Sequence, residues 1–242
     1  VRKFFQRLHS MHPAYQAHLA GLIFIAILAL GVFVFPASKG THQGLLFLAS
    51  LAFAIGFSIW SWPKVKEVWR HPIGRALIII PHLFVLLLAV TIAKNVVASA
   101  LGLPPQDFDV SVNFIALLFY IPAWSIVVSI LVGIFAFLLY VIALFVGVFR
   151  HPFKETAKLF GHAAGALAIC IYSSSVFDFA NNNEKSLHPL VRWVAFFGDF
   201  QSADAYPGIG AAERIRLHEN GVISVATAEN NTVVIRVRKY EQ

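Results

Sequence analysis

Residues 112–149 read VNFIALLFYIPAWSIVVSILVGIFAFLLYVIALFVGVF, a run of 38 positions without a charged side chain. In a helix, at about 1.5 Å per residue, that run is nearly twice the roughly 30 Å of a bilayer's hydrocarbon core. Whether it crosses once or twice decides if the number of spans is odd or even, and so on which side the chain ends. No polar turn interrupts it, and Pro122 is the better candidate for a break. We read Val112–Ile121 as an interfacial or protein-covered segment and Ala123–Phe149 as one long, tilted span.

Four further apolar runs flank it. Leu19–Pro36 ends at a polar turn around Lys39, Gly44–Trp62 is closed by Pro63, and Ile73–Val97 and Lys158–Phe179 follow the same length rule. The expected architecture is an all-α polytopic membrane domain of five transmembrane helices over residues 1–180, followed by a tail domain over residues 181–242. The basic start is followed by a run long enough to span, so we read no cleavable signal peptide. Composition agrees: 58% of the 242 residues are hydrophobic and 13% charged, against roughly 25% charged in soluble domains. The single Cys170 excludes an intrachain disulfide.

Charge sets the expected orientation. The N-terminal arm (Arg2, Lys3, Arg7), the second loop (Lys64, Lys66, Arg70, Arg75) and the fourth (Arg150, Lys154, Lys158) hold ten Lys and Arg. The other two loops hold only Lys39, and the longer of them carries Asp107 and Asp109. The positive-inside rule then places the N-terminus in the cytoplasm and the tail outside, in a bacterial inner membrane.

One element recurs. Trp69-Arg70-His71-Pro72 and Phe149-Arg150-His151-Pro152 lie 80 residues apart, and each is followed eleven residues after its histidine by another, His82 and His162. Pro after such a histidine starts a helix at no hydrogen-bond cost, and Arg70 and Arg150 anchor to headgroups. His82 and His162 fall roughly 15 Å inside their helices, within the hydrocarbon. Buried ionisable groups there pack against other helices, line a proton or ion path, or ligate a haem; the spacing leaves these open, with packing first. Lys94 and Asp178 are expected as counter-charges at the outer ends of the third and fifth spans, or Lys94 snorkels. Ala157, Gly161 and Gly165 form a small-residue stripe for close helix packing within the chain.

In the tail, residues 187–200 form an amphipathic helix for the outer membrane surface, for the spans or for the small domain's own core. Residues 213–240 suggest a three-stranded antiparallel meander, with turns at Asn220-Gly221 and Glu229-Asn230-Asn231, after an earlier turn at Tyr206-Pro207-Gly208. Arg214, Arg216, Arg236 and Arg238 are expected on one face, with Ile215, Leu217 and either Val233, Ile235 and Val237 or their register mates on the other. No phosphate-cradling loop, metal-ligand spacing or nucleophile signature stands out, so no cofactor, metal or catalytic residue is expected. The reading is a non-enzymatic membrane component, a sensor, immunity or assembly subunit, meeting lipid and a protein partner at the tail, with no nucleic acid. A homo-oligomeric channel or small transporter is the alternative, and a haem-binding subunit the third.

Overall fold

The computed structural model describes residues 10–34, 39–150, 153–202, 213–218, 222–229 and 232–239. Five long helices carry most of the chain: α1 (Pro13–Val34), α2 (Lys39–Arg70), α3 (Pro72–Leu101), α4 (Asp109–Arg150) and α5 (Phe153–Asn182). All five are long and apolar enough to cross a membrane, so this is an integral multi-pass membrane protein. Their surfaces fit that solvent, since side chains such as Leu87, Leu117, Ile121 and Phe149 stay exposed in the isolated chain.

The long apolar run is one helix. α4 spans 42 residues with Pro122 inside it, so the break expected there does not occur. Pro63 likewise lies inside α2, which continues eight residues past Trp62 to Arg70, correcting the expected closure. Proline removes one backbone donor but does not force an end when neighbouring turns and helices re-satisfy the freed carbonyl. Within the segment expected to be interfacial or protein-covered, one face is buried (Val112, Ile115 and Phe119) while Phe114, Leu117, Leu118 and Ile121 stay exposed.

The Arg-His-Pro element sits at a helix corner. α2 ends at Arg70, His71 donates its backbone N–H to Val68 O (3.2 Å), and Pro72 opens α3. Gly74 is needed there, because a Cβ would stand 1.9 Å from Val68 O. In the second copy Arg150 ends α4 and α5 begins at Phe153; His151 and Pro152 lie outside the described residues.

The tail contains a 3₁₀ turn (Glu184–Leu187), helix α6 (His188–Gly198) and a sheet. The sheet has four strands rather than three: β1 (Gln201–Ser202), β2 (Glu213–Leu217), β3 (Val222–Glu229) and β4 (Thr232–Lys239), antiparallel in the order β1-β2-β3-β4. A two-residue strand carries no alternation, so it left no pattern to read. The expected turns at Tyr206-Pro207-Gly208, Asn220-Gly221 and Asn230-Asn231 lie outside the described residues.

Two compact units partition the chain, one of residues 1–80 and 125–175, the other of residues 81–124 and 176–242. In the first, α2 and α5 meet at a small core around Phe57, Ala163 and Ala166. In the second, α6 lays Val191, Ala195 and Phe196 into a larger core with Val96 and Val97 of α3, Ile115 of α4, Phe108, and Ala226 and Val233 of the sheet. The amphipathic helix therefore packs on both spans and sheet, while Phe197 of the same helix is 64% exposed.

Candidate functional site

The densest polar chemistry lies at the base of the tail, and it is built from helix ends. A helix leaves its first N–H and last C=O groups without intrahelical partners, with partial positive and negative charge respectively. At the start of α4, Asp199 supplies the missing acceptor: Oδ1 takes the Val110 N–H (2.9 Å), and Oδ2 takes the Ser111 N–H (3.0 Å) and hydroxyl (2.5 Å). At the end of α3, Gly102 adopts φ +67° and donates to Ala98 O, the αL ending that glycine favours. Arg192 then donates Nε to Ala100 O at 3.0 Å. At the end of α6, Arg214 donates to Phe196 O (2.9 Å) and Arg216 to Asp199 O (3.2 Å). An acid sits at the N-terminus and arginines at the C-termini, as the helix dipole favours.

Beside this lies Asp107–His218–Ser224. Asp107 Oδ2 meets His218 Nδ1 and Ser224 Oγ meets His218 Nε2, both at 2.5 Å. The connectivity is that of a hydrolytic triad, which sequence spacing did not disclose because Asp107 follows α3 while the other two residues lie in the sheet. Ser224, however, is completely buried, on β3 between β2 and β4. A nucleophile has to meet its substrate, so this geometry serves as a polar clasp between the loop after α3 and the β2–β3 hairpin.

Cross-strand register redistributes the arginines. Ile215 pairs with Val225 and Val225 with Arg236; Arg214 pairs with Ala226 and Ala226 with Ile235. Residues paired this way share a face, so Arg236 and Arg238 stand with Ile215 and Leu217, and Arg214 and Arg216 with Ile235 and Val237. The expected single arginine face is therefore split two and two. Arg214 and Arg216 are spent on α6, leaving Arg236 and Arg238, whose side chains are 61% and 56% exposed. Their ion pairs, with Glu229 at 4.0 Å and Glu213 at 3.8 Å, are long and solvated and hold them weakly.

The intramembrane histidines take separate partners. His162 Nδ1 bonds His18 Nε2 at 3.0 Å, and its ring stacks on Trp60 with centroids 4.1 Å apart. His82 Nδ1 bonds the Tyr120 hydroxyl at 2.9 Å, with Trp124 beside it. His18 stands one residue before the apolar run that opens at Leu19, so run length does not mark it; the sequence signal for it is an ionisable residue between Ala17 and Leu19 at the edge of a span.

Gly161 and Gly165 do what small residues allow. A Cβ on Gly165 would stand 2.3 Å from Phe53 O, and one on Gly161 3.2 Å from the His18 ring. Gly56 faces the same ring, where a Cβ would come within 2.6 Å. Lys94 and Asp178 are both exposed, and no ion pair joins them among the described residues. Arg70 and His71 are exposed at the α2–α3 corner. Among the described residues no group of three or more His, Cys, Asp or Glu could hold a metal ion.

No family model, no curated protein and no solved structure matches this chain.

Proposed function

We propose that the protein is a non-enzymatic membrane component that acts through a partner protein held at its C-terminal sheet. The observation that carries this reading is β4. It closes one end of the sheet, no described strand pairs with its outer edge, and it holds Arg236, Val237 and Arg238 exposed. An exposed strand edge is a template for strand addition, in which main-chain bonds give affinity and alternate side chains give specificity. Two solvated arginines select an acidic extended segment. The capped helix ends beneath support a rigid platform, which spares a partner the cost of ordering it.

The charge asymmetry of the loops supports an extracytoplasmic tail and a cytoplasmic N-terminus in an inner membrane. A reporter fused after Gln242 is then active only if it functions outside the cytoplasm. Partner binding itself is tested with a photoreactive residue at Val237 in native membranes. A discrete adduct is expected there and none from Leu87, which faces outward from α3. Equal yields from both positions would refute the reading.

A further inference from the structure

A second site lies far from the tail chemistry in sequence, where α1 and α5 begin. A cavity of about 660 Å³ opens between them, lined by Tyr15, Leu19 and Leu22 of α1 and by Lys154, Ala157 and Lys158 of α5, among others. That volume falls within the roughly 300–1,000 Å³ of small-ligand sites. We propose that it binds one anionic phospholipid, with the phosphate at the lysine rim and an acyl chain along the leucine wall.

The charge at the rim has a definite sign. Lys158 is paired with Glu155 at 3.0 Å and lies over the Tyr15 ring at 5.4 Å, so that pair is close to neutral. Lys154, one turn earlier and exposed, has no ion pair among the described residues and leaves a single positive charge. At α1, His12 accepts the Ala14 N–H with Nδ1 and the Tyr15 and Gln16 N–H groups with its carbonyl, so that end is already satisfied. The first turn of α5 holds Lys154, and the positive end of the α5 dipole adds to it.

The wall distinguishes a lipid from free phosphate. Leu19, Leu22 and Ala157 offer an acyl chain nothing polar, although Ser10 and His18 also belong to the lining, and the two helices that bound the cavity are apolar enough to span a membrane, where a lipid chain would reach it. The chain's own N-terminal arm is a poor occupant on charge, because Arg2, Lys3 and Arg7 would meet Lys154. A singly anionic headgroup matches the rim.

The test uses the full chain in nanodiscs of mixed phosphatidylcholine and phosphatidylglycerol, ejected into a native mass spectrometer that counts retained lipids. Wild type should retain one phosphatidylglycerol in preference to phosphatidylcholine. Lys154→Gln should weaken that retention about fivefold, the scale of one basic contact near a membrane surface. Leu22→Trp, which fills the wall, should lose both lipids, whereas Lys66→Gln, on exposed α2 surface, should change nothing. Because Lys154 is exposed, its variant stays informative if Leu22→Trp misfolds. The proposal would be overturned by retention indifferent to Lys154→Gln, by retention lost equally in Lys66→Gln, or by phosphatidylglycerol displaced by inorganic phosphate while phosphatidylcholine stays. Gain of lipid on deleting residues 1–9 would also overturn it, by making the arm the resident.

Discussion

The packing of α1, α2 and α5 and the base of the tail hold helices together by opposite means. In the first, backbones come close because there is nothing between them: Gly165 lies against the Phe53 carbonyl and Gly56 against the His18 ring. Among the described residues its polar links include a buried bond between two imidazoles and a part-buried one between Ser50 and Tyr172. In the second, a conventional apolar core around Phe108, Ile115 and Val191 is bordered by charged side chains placed on helix ends. The difference fits a change of solvent from lipid towards water. Lipid offers no hydrophobic gain for helix association, so close van der Waals packing has to supply it. Water rewards apolar burial at the tail, and then requires every buried helix end to find a partner.

The largest effect should come from Asp199. Asp199→Ala leaves two N–H groups and a hydroxyl at the start of α4 unpaired, which should cost about 3 kcal/mol. Hydrogen exchange should then quicken at residues 108–112 and through the sheet, while exchange in α1 and α2 stays as in wild type. Acceleration spread evenly over the chain would mean that the two regions are not separate in stability.

Gly165→Ala should reverse that pattern. With backbone in the way, relief requires α2 or α5 to shift, at about 2 kcal/mol. Thermal unfolding in nanodiscs should fall while exchange in the sheet is unchanged. Gly161→Ala, where the neighbour is a side-chain ring at 3.2 Å, should be milder.

Smaller effects belong to the histidines. His162→Phe should lower stability by about 1 kcal/mol, the scale of an interhelical hydrogen bond in a membrane. His82→Gln retains a group able to bond Tyr120 and should be nearly silent. Flux through liposomes that appears in wild type and shifts in either variant would favour the channel reading over the packing role.

How far the sequence discloses all this varies by residue. The five helices are legible because apolar runs of about 20 residues have few other uses, and Pro72 was readable as a helix start. Pro63 and Pro122 misled because proline is a stronger breaker in water than among neighbouring helices. The arginine faces could not be read, since a one-residue change in hairpin register exchanges the faces of a whole strand. Asp199 gave no local signal at all. The helix end it caps lies 89 residues away in sequence, and only the fold brings Val110 to it. The Asp107–His218–Ser224 clasp was hidden for the same reason.

The central claim, that an acidic segment of a partner adds to β4, is most directly tested by measuring the Val237 photo-adduct in an Arg236→Glu, Arg238→Glu background. Both side chains are largely exposed, so the sheet should keep its exchange protection. The account predicts the same adduct at less than about one-fifth of the wild-type yield, as losing roughly 1 kcal/mol or more of charge complementarity would give. An undiminished adduct with the sheet intact would contradict it.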